Sequence, residues 1–107
     1  MQLTQTQIDG YKVINFSGNL DTTTSPEVEK TIKECIENGD LKFIFNFSDT
    51  KYMSSSGLRV LLATAKKLKG KGELKISNLN AVIEEVFDVS GFSSILNVYK
   101  TQEEALS

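Results

Sequence analysis

Five residues, Phe43-Ile44-Phe45-Asn46-Phe47, constrain the fold of this chain more than any others. Four of them are large and apolar, without alternation, so a strand built from them needs cover on both faces. The run leads toward Ser54-Ser55-Ser56-Gly57 and then to Leu58, Leu61, Leu62, Ala65 and Leu68, which form one apolar stripe at helical spacing. A fully buried strand followed by an amphipathic helix belongs to a strand–helix–strand unit, and such units build parallel sheets.

The flanking segments repeat the pattern. Leu3 to Ile8 is polar and threonine-rich, a strand with one exposed face or edge. Asp9-Gly10 predicts a two-residue hairpin turn into a second strand, Tyr11 to Ser17. Gly18 to Thr24 reads as a loop. A first helix then starts near Ser25, with Ser25 as cap before Pro26, or with Thr24 and Glu27 as a capping box. Its inner face is Val28, Ile32, Cys35 and Ile36, and Asn38-Gly39 ends it.

After the second helix, Lys69-Gly70-Lys71-Gly72 is a turn, and Glu73 to Ser77 alternates with Leu74 and Ile76 inward. A third helix is predicted from Leu79 to Asp88, presenting Val82, Ile83, Val86 and Phe87, with Ser90-Gly91 as its break. Ile95 to Lys100 reads as a last strand and Thr101 to Leu106 as a short helix capped by Thr101. The order is β-β-α-β-α-β-α-β-α, an α/β fold. It predicts a mixed, mostly parallel sheet of four to five strands in a single domain over residues 1–107.

Composition narrows the function. At 107 residues, 39% hydrophobic and 24% charged, the chain can bury a core and is not of the disordered class. A net charge of −2 provides no field for direct nucleic-acid binding, and Lys66, Lys67, Lys69 and Lys71 lack interleaved aromatics. No apolar run nears the roughly 20 residues of a membrane span, so no membrane insertion is expected. The start, Met1 to Gln5, has none of the marks of a signal peptide, and a cytoplasmic location is expected.

There is no histidine and a single cysteine, Cys35, on the apolar stripe of the first helix. Ser-His and Cys-His nucleophiles and the usual zinc sites are excluded, and no metal or cofactor is expected. An enzyme would have to work with Asp21, Asn46, Lys51 and Ser54 to Ser56 alone. Gly70-Lys71-Gly72 lacks Walker spacing. Asn15-Phe16-Ser17 and Asn46-Phe47-Ser48 match a glycosylation sequon but fall in predicted strands.

The three serines have two readings. Ser55 or Ser56 can cap the second helix, worth about 1 kcal/mol, with Gly57 easing the turn. Alternatively, one hydroxyl accepts a phosphate where the helix amides and dipole favour negative charge. One cap accounts for one serine and leaves others over. Gly18-Asn19-Leu20-Asp21 should lie on the same sheet edge, where open α/β sheets bind ligands, or Leu20 and Asp21 simply anchor the loop.

These elements together resemble the STAS family, the domain shared by sulfate transporters and anti-sigma factor antagonists. Gly18-Asn19-Leu20-Asp21 resembles its Gly-x-Leu-Asp element, and Phe43 through Leu58 its central strand, phosphoacceptor loop and helix start. The tail from Val89-Ser90-Gly91-Phe92 to Glu104-Ala105-Leu106 is also similar. Two positions depart from the pattern: Ser54 replaces the loop aspartate, and Asn46 an aspartate common in the central strand.

The resemblance implies an anti-sigma factor antagonist, not an enzyme, that works by partner switching. Its unmodified form would bind an anti-sigma factor that is also a serine kinase, freeing a sigma factor. ATP-dependent phosphorylation at Ser55, with Ser54 and Ser56 as alternatives, would release it, and a PP2C-type phosphatase would reverse the step. The implied docking residues are Asn19, Asp21, Thr22, Ser54, Ser56, Gly57 and Arg59. A phosphate-free scaffold in a transport or signalling assembly is the alternative. The oligomeric state is open, with a monomer expected.

Overall fold

The hairpin sets the first edge of the sheet. In the computed structural model, which describes residues 1–107, β1 (Gln2–Ile8) and β2 (Tyr11–Leu20) pair antiparallel. Asp9 and Gly10 both take positive φ, 51° and 85°, as a tight primed turn requires. From β2 onward every pair is parallel: β2 with β3 (Lys42–Met53), β3 with β4 (Glu73–Ser77) and β4 with β5 (Asn97–Tyr99). The five strands lie in sequence order, β1-β2-β3-β4-β5.

Strand alternation divides the sheet into unequal faces. Phe16, Phe43, Phe45, Phe47, Leu74 and Ile76 point to the larger face, where Phe16 stacks on Phe47 at 4.6 Å between centroids. Helices α1 (Ser25–Glu37), α2 (Ser55–Leu68) and α3 (Ala81–Ser90) cover it with Val28, Ile32, Cys35, Leu58, Leu61, Ile83 and Phe87. Cys35 is buried, and burial raises its thiol pKa. The other face carries Val13 and Ile44, covered by Ala105 of the short helix α4 (Gln102–Leu106), which Thr101 caps as predicted. The central strand is therefore enclosed on both sides.

Several boundaries differ from the sequence reading. Gly18 to Leu20 continues β2 instead of forming a loop, and β3 runs on past Phe47 to Met53. Polar residues can stay in strand here because β2 and β3 hold each other, with register shifts between Asn15 and Ser17 and between Gly18 and Asn19. The Thr50 hydroxyl donates to the Phe16 carbonyl at 2.8 Å within this irregular stretch. β4 leaves β3 at Asn46–Ser77, whereas β2 stays with β3 as far as Leu20–Met53. The two strands thus project beyond the rest of the sheet as a two-stranded ledge.

The helix starts also differ. Thr24 precedes α1 without a side-chain cap, the Thr24–Glu27 box does not form, and the Ser25 hydroxyl donates to the Asp21 carbonyl. Asn80 caps α3 by accepting from Ile83 N at 2.8 Å, and Gly91 closes it at φ 82°. Val82, expected inward, is 60% exposed because the covered stripe of α3 runs through Ile83, Val86 and Phe87, and Val82 flanks it. A 3₁₀ turn at Phe92–Ser94 shortens the last strand to Asn97–Tyr99. Lys75 and Ser77, the polar half of an alternating strand, are buried rather than solvated.

Candidate functional site

Ledge, helix and loop meet at one hydrogen bond. Ser54 N donates to Leu20 O at 2.9 Å, which joins the start of α2 to the end of β2. Leu20 is fully buried, so the joint is anchored in the core. Gly57 makes the approach possible: a Cβ there would lie 2.7 Å from Leu20 Cγ and 3.0 Å from Leu20 O. Gly57 is itself buried, so it shapes the surface and does not belong to it, contrary to its expected place among the docking residues.

The three serines take three different environments. Ser54 is the cap; its hydroxyl accepts from Gly57 N at 3.4 Å. Neither Ser55 nor Ser56 has that role, because α2 begins at Ser55 and the residue just before it is Ser54, which the bond to Leu20 holds. Ser56 Oγ lies 3.1 Å from Thr22 Oγ1, a hydroxyl pair linking α2 to the loop before α1. Ser55 is exposed, and its hydroxyl makes no hydrogen bond within the chain. It sits at the first position of a helix whose first turn carries no acidic residue. First-turn amides have no intrahelical acceptor, so the position favours an anion.

The loop before α1 is organised by Asp21. Its carboxylate accepts from Thr23 N at 3.0 Å and Thr24 N at 3.1 Å. Thr24 Oγ1 accepts from Asp21 N at 2.9 Å and donates to Asn19 O at 2.8 Å. Asp21 is half-buried and occupied with loop amides, while Asn19 and Thr22 are exposed beside it. Leu20 and Asp21 thus anchor the loop, while Asn19 and Thr22 face solvent.

Arg59 is exposed one helical turn after Ser55. With Thr22, Ser25, Glu29 and Ser56 it borders a shallow cleft of about 310 Å³ between α1 and α2. The expected set Asn19, Asp21, Thr22, Ser54, Ser56 and Arg59 is therefore brought together around Ser55. The sequence reading leaves out Tyr52. This residue is 50% exposed and paired in register with Asn19, and so adds an exposed aromatic beside Asn19. Continuing the strand past Phe47 would have found it, since Thr50 and Met53 are buried and Tyr52 is not.

Asn46 does not join this site. Its amide donates to Gln102 Oε1 at 2.8 Å and its carbonyl oxygen accepts from Ser48 N at 2.9 Å, on the face beneath α4. A catalytic set of Asp21, Asn46, Lys51 and the serines is therefore split between two parts of the molecule. No group of three or more His, Cys, Asp or Glu residues is placed to hold a metal, and no helix is long and apolar enough to cross a membrane.

Comparison with known proteins agrees with this architecture. The sequence profile of the STAS domain matches residues 2–105. The chain is 33% identical over 106 residues to BtrV of Bordetella bronchiseptica, an inferred anti-sigma factor antagonist, covering 98% of this chain and 91% of that one. It is 30% identical over 92 residues to the anti-sigma-B factor antagonist of Bacillus subtilis, covering 84% and 83%. An anti-sigma factor antagonist from Mycobacterium paratuberculosis superposes with a TM-score of 0.91 at 23% identity, over 98% of this chain and 90% of that one. These names describe regulators, not enzymes. With its ledge, its Leu20–Ser54 joint and its serine-led helix, the chain belongs to the STAS domain family.

Proposed function

We propose that this protein is an anti-sigma factor antagonist, switched by phosphorylation of Ser55. One observation carries the reading: of three adjacent serines, only Ser55 has an exposed hydroxyl free of any partner. In the unmodified state, Asn19, Thr22, Tyr52, Ser55 and Arg59 form the surface on which an anti-sigma factor with serine kinase activity docks. Binding occupies that factor and leaves its sigma factor free. A PP2C-type phosphatase restores the unmodified state, and the cycle runs in the cytoplasm.

A phosphate dianion on Ser55 would break no hydrogen bond of the fold, because that hydroxyl is exposed and makes none within the chain. It would burden the interface instead, through desolvation and repulsion of acidic groups on the partner. A loss of about 3–4 kcal/mol weakens binding a few-hundred-fold, enough for a switch. Replacement of the family's loop aspartate by Ser54 fits this reading, since serine and aspartate are comparable helix caps. The cap is retained without a carboxylate beside the acceptor.

The test is phosphate mapping by mass spectrometry after incubation with the cognate kinase and ATP. Phosphate is expected on Ser55 and absent from Ser55→Ala. Modification of Ser55→Ala at the wild-type rate, or no modification of the cluster, would overturn the switch. Co-purification with a transporter ATPase would point to the scaffold role instead.

A further inference from the structure

We propose that the free edge of β1 pairs antiparallel with β1 of a second copy, giving a weak two-fold dimer. This inference is independent of the reading of Ser55. The two edges of the sheet are unlike. The β5 edge is three residues long, Asn97–Tyr99, and α4 follows it closely. The β1 edge is seven residues long, from Gln2 to Ile8, and hydrogen-bonds only to β2.

An open edge is ordinarily blunted by charge, proline, a bulge or a covering element. The segment Gln2-Leu3-Thr4-Gln5-Thr6-Gln7-Ile8 contains no charged residue and no proline. Its register with β2 is unbroken from Gln2–Ser17 to Ile8–Tyr11, so no bulge turns it aside. Five of its seven residues are exposed. Gln5 bends toward α1, where its Oε1 accepts from Cys35 Sγ at 3.6 Å, leaving the edge clear.

A second copy fits because the strand is complementary to itself. A two-fold axis through Gln5 gives full overlap and places Thr4 opposite Thr6 of the partner, Leu3 opposite Gln7 and Gln2 opposite Ile8. Thr4 and Thr6 face the side away from α1–α3, because the alternate residue Leu3 packs on the main core and Ile8 on the opposite cluster. Threonine pairs across strands are favourable, and no like charges meet. One pair of seven-residue strands buries less than the roughly 1,600 Å² of a standard interface, so the dimer is weak and reversible. The strands run in opposite directions, so the two Ser55 surfaces lie at opposite ends of the joined sheet and both remain free.

The test is sedimentation velocity of the 107-residue chain from micromolar to millimolar concentration, with two double variants. The wild-type chain is expected to shift from monomer toward dimer. Thr4→Lys with Thr6→Lys sets like charges across both pairs and should weaken association at least about tenfold. The same change takes the net charge from −2 to zero, which alone would favour association. Thr4→Lys with Thr6→Glu sets opposite charges across the same pairs and should restore or strengthen it. Both positions are exposed, and circular dichroism checks the fold of each variant. A wild-type chain monomeric throughout, or a double-lysine variant associating as well as the other two, overturns the proposal.

Discussion

The junction at Ser54 to Ser56 and the sheet face beneath α4 treat polar groups in opposite ways. At the junction, Ser54 and Ser56 are tied to the chain while Ser55 between them is left to solvent. Beneath α4, Lys75 is 9% exposed, donates to Ala105 O and lies 4.9 Å and 5.3 Å from the ring centres of Tyr11 and Tyr99. Asn46 is likewise closed off by Gln102 and Ser48. Polarity that is enclosed and partnered holds an element in place. Polarity that is exposed and unpartnered, on a scaffold this well fixed, is available to another molecule.

Substitutions can break that contrast. The largest effect on stability is expected at the frame of the junction: Gly57→Ala pushes a methyl into Leu20 and should cost about 2–3 kcal/mol, read as a lower urea midpoint. It should also impair partner binding, since it separates α2 from the ledge. Lys75→Met should cost about 2 kcal/mol by removing the bond to Ala105 and the ring contacts, and it should speed hydrogen exchange in α4.

The pH dependence of Lys75 sharpens the same point. Burial works to lower its pKa, but the hydrogen bond and charge interaction with Tyr11, with Tyr99 and Glu73, outweigh it and hold the pKa above the usual lysine value. A raised folded pKa means that the stabilisation is complete below the unfolded lysine pKa of about 10.4. It disappears as pH climbs through the higher folded value. Denaturation from neutral to strongly alkaline pH should show this loss in the wild type, and the component due to Lys75 should be missing in Lys75→Met.

Smaller effects separate the serines from one another. Ser54→Ala should cost about 1 kcal/mol as a lost cap, measured by thermal unfolding. Ser55→Ala should change stability by less than about 0.5 kcal/mol while abolishing phosphorylation. Equal stability losses at the two positions would erase the distinction between a structural hydroxyl and an available one.

Much of the fold was legible because its signals are local. Asp9-Gly10 marks a primed turn by conformational need, and the leucine stripe of α2 follows from helical period. Phe43 to Phe47 declares burial on both faces by lacking alternation. The Gly-x-Leu-Asp element and the serine cluster were likewise readable as one sheet edge. Less legible was the length of β3, because Ser48 to Tyr52 is polar and is held in strand by β2 rather than by its own preference. Val82 was less legible for a related reason, since contact with the sheet, and not the helical period alone, decides which side of an apolar stripe is covered.

The order of strands and helices, the hairpin, the inert Cys35 and the absence of histidine chemistry were therefore determined by the sequence alone. Which serine caps, which pairs with Thr22 and which stays free was decided by tertiary structure. Three like residues in a row are equivalent to any local rule. The bond from Ser54 N to Leu20 O and the pair between Ser56 and Thr22, both made between segments far apart in the chain, tell them apart.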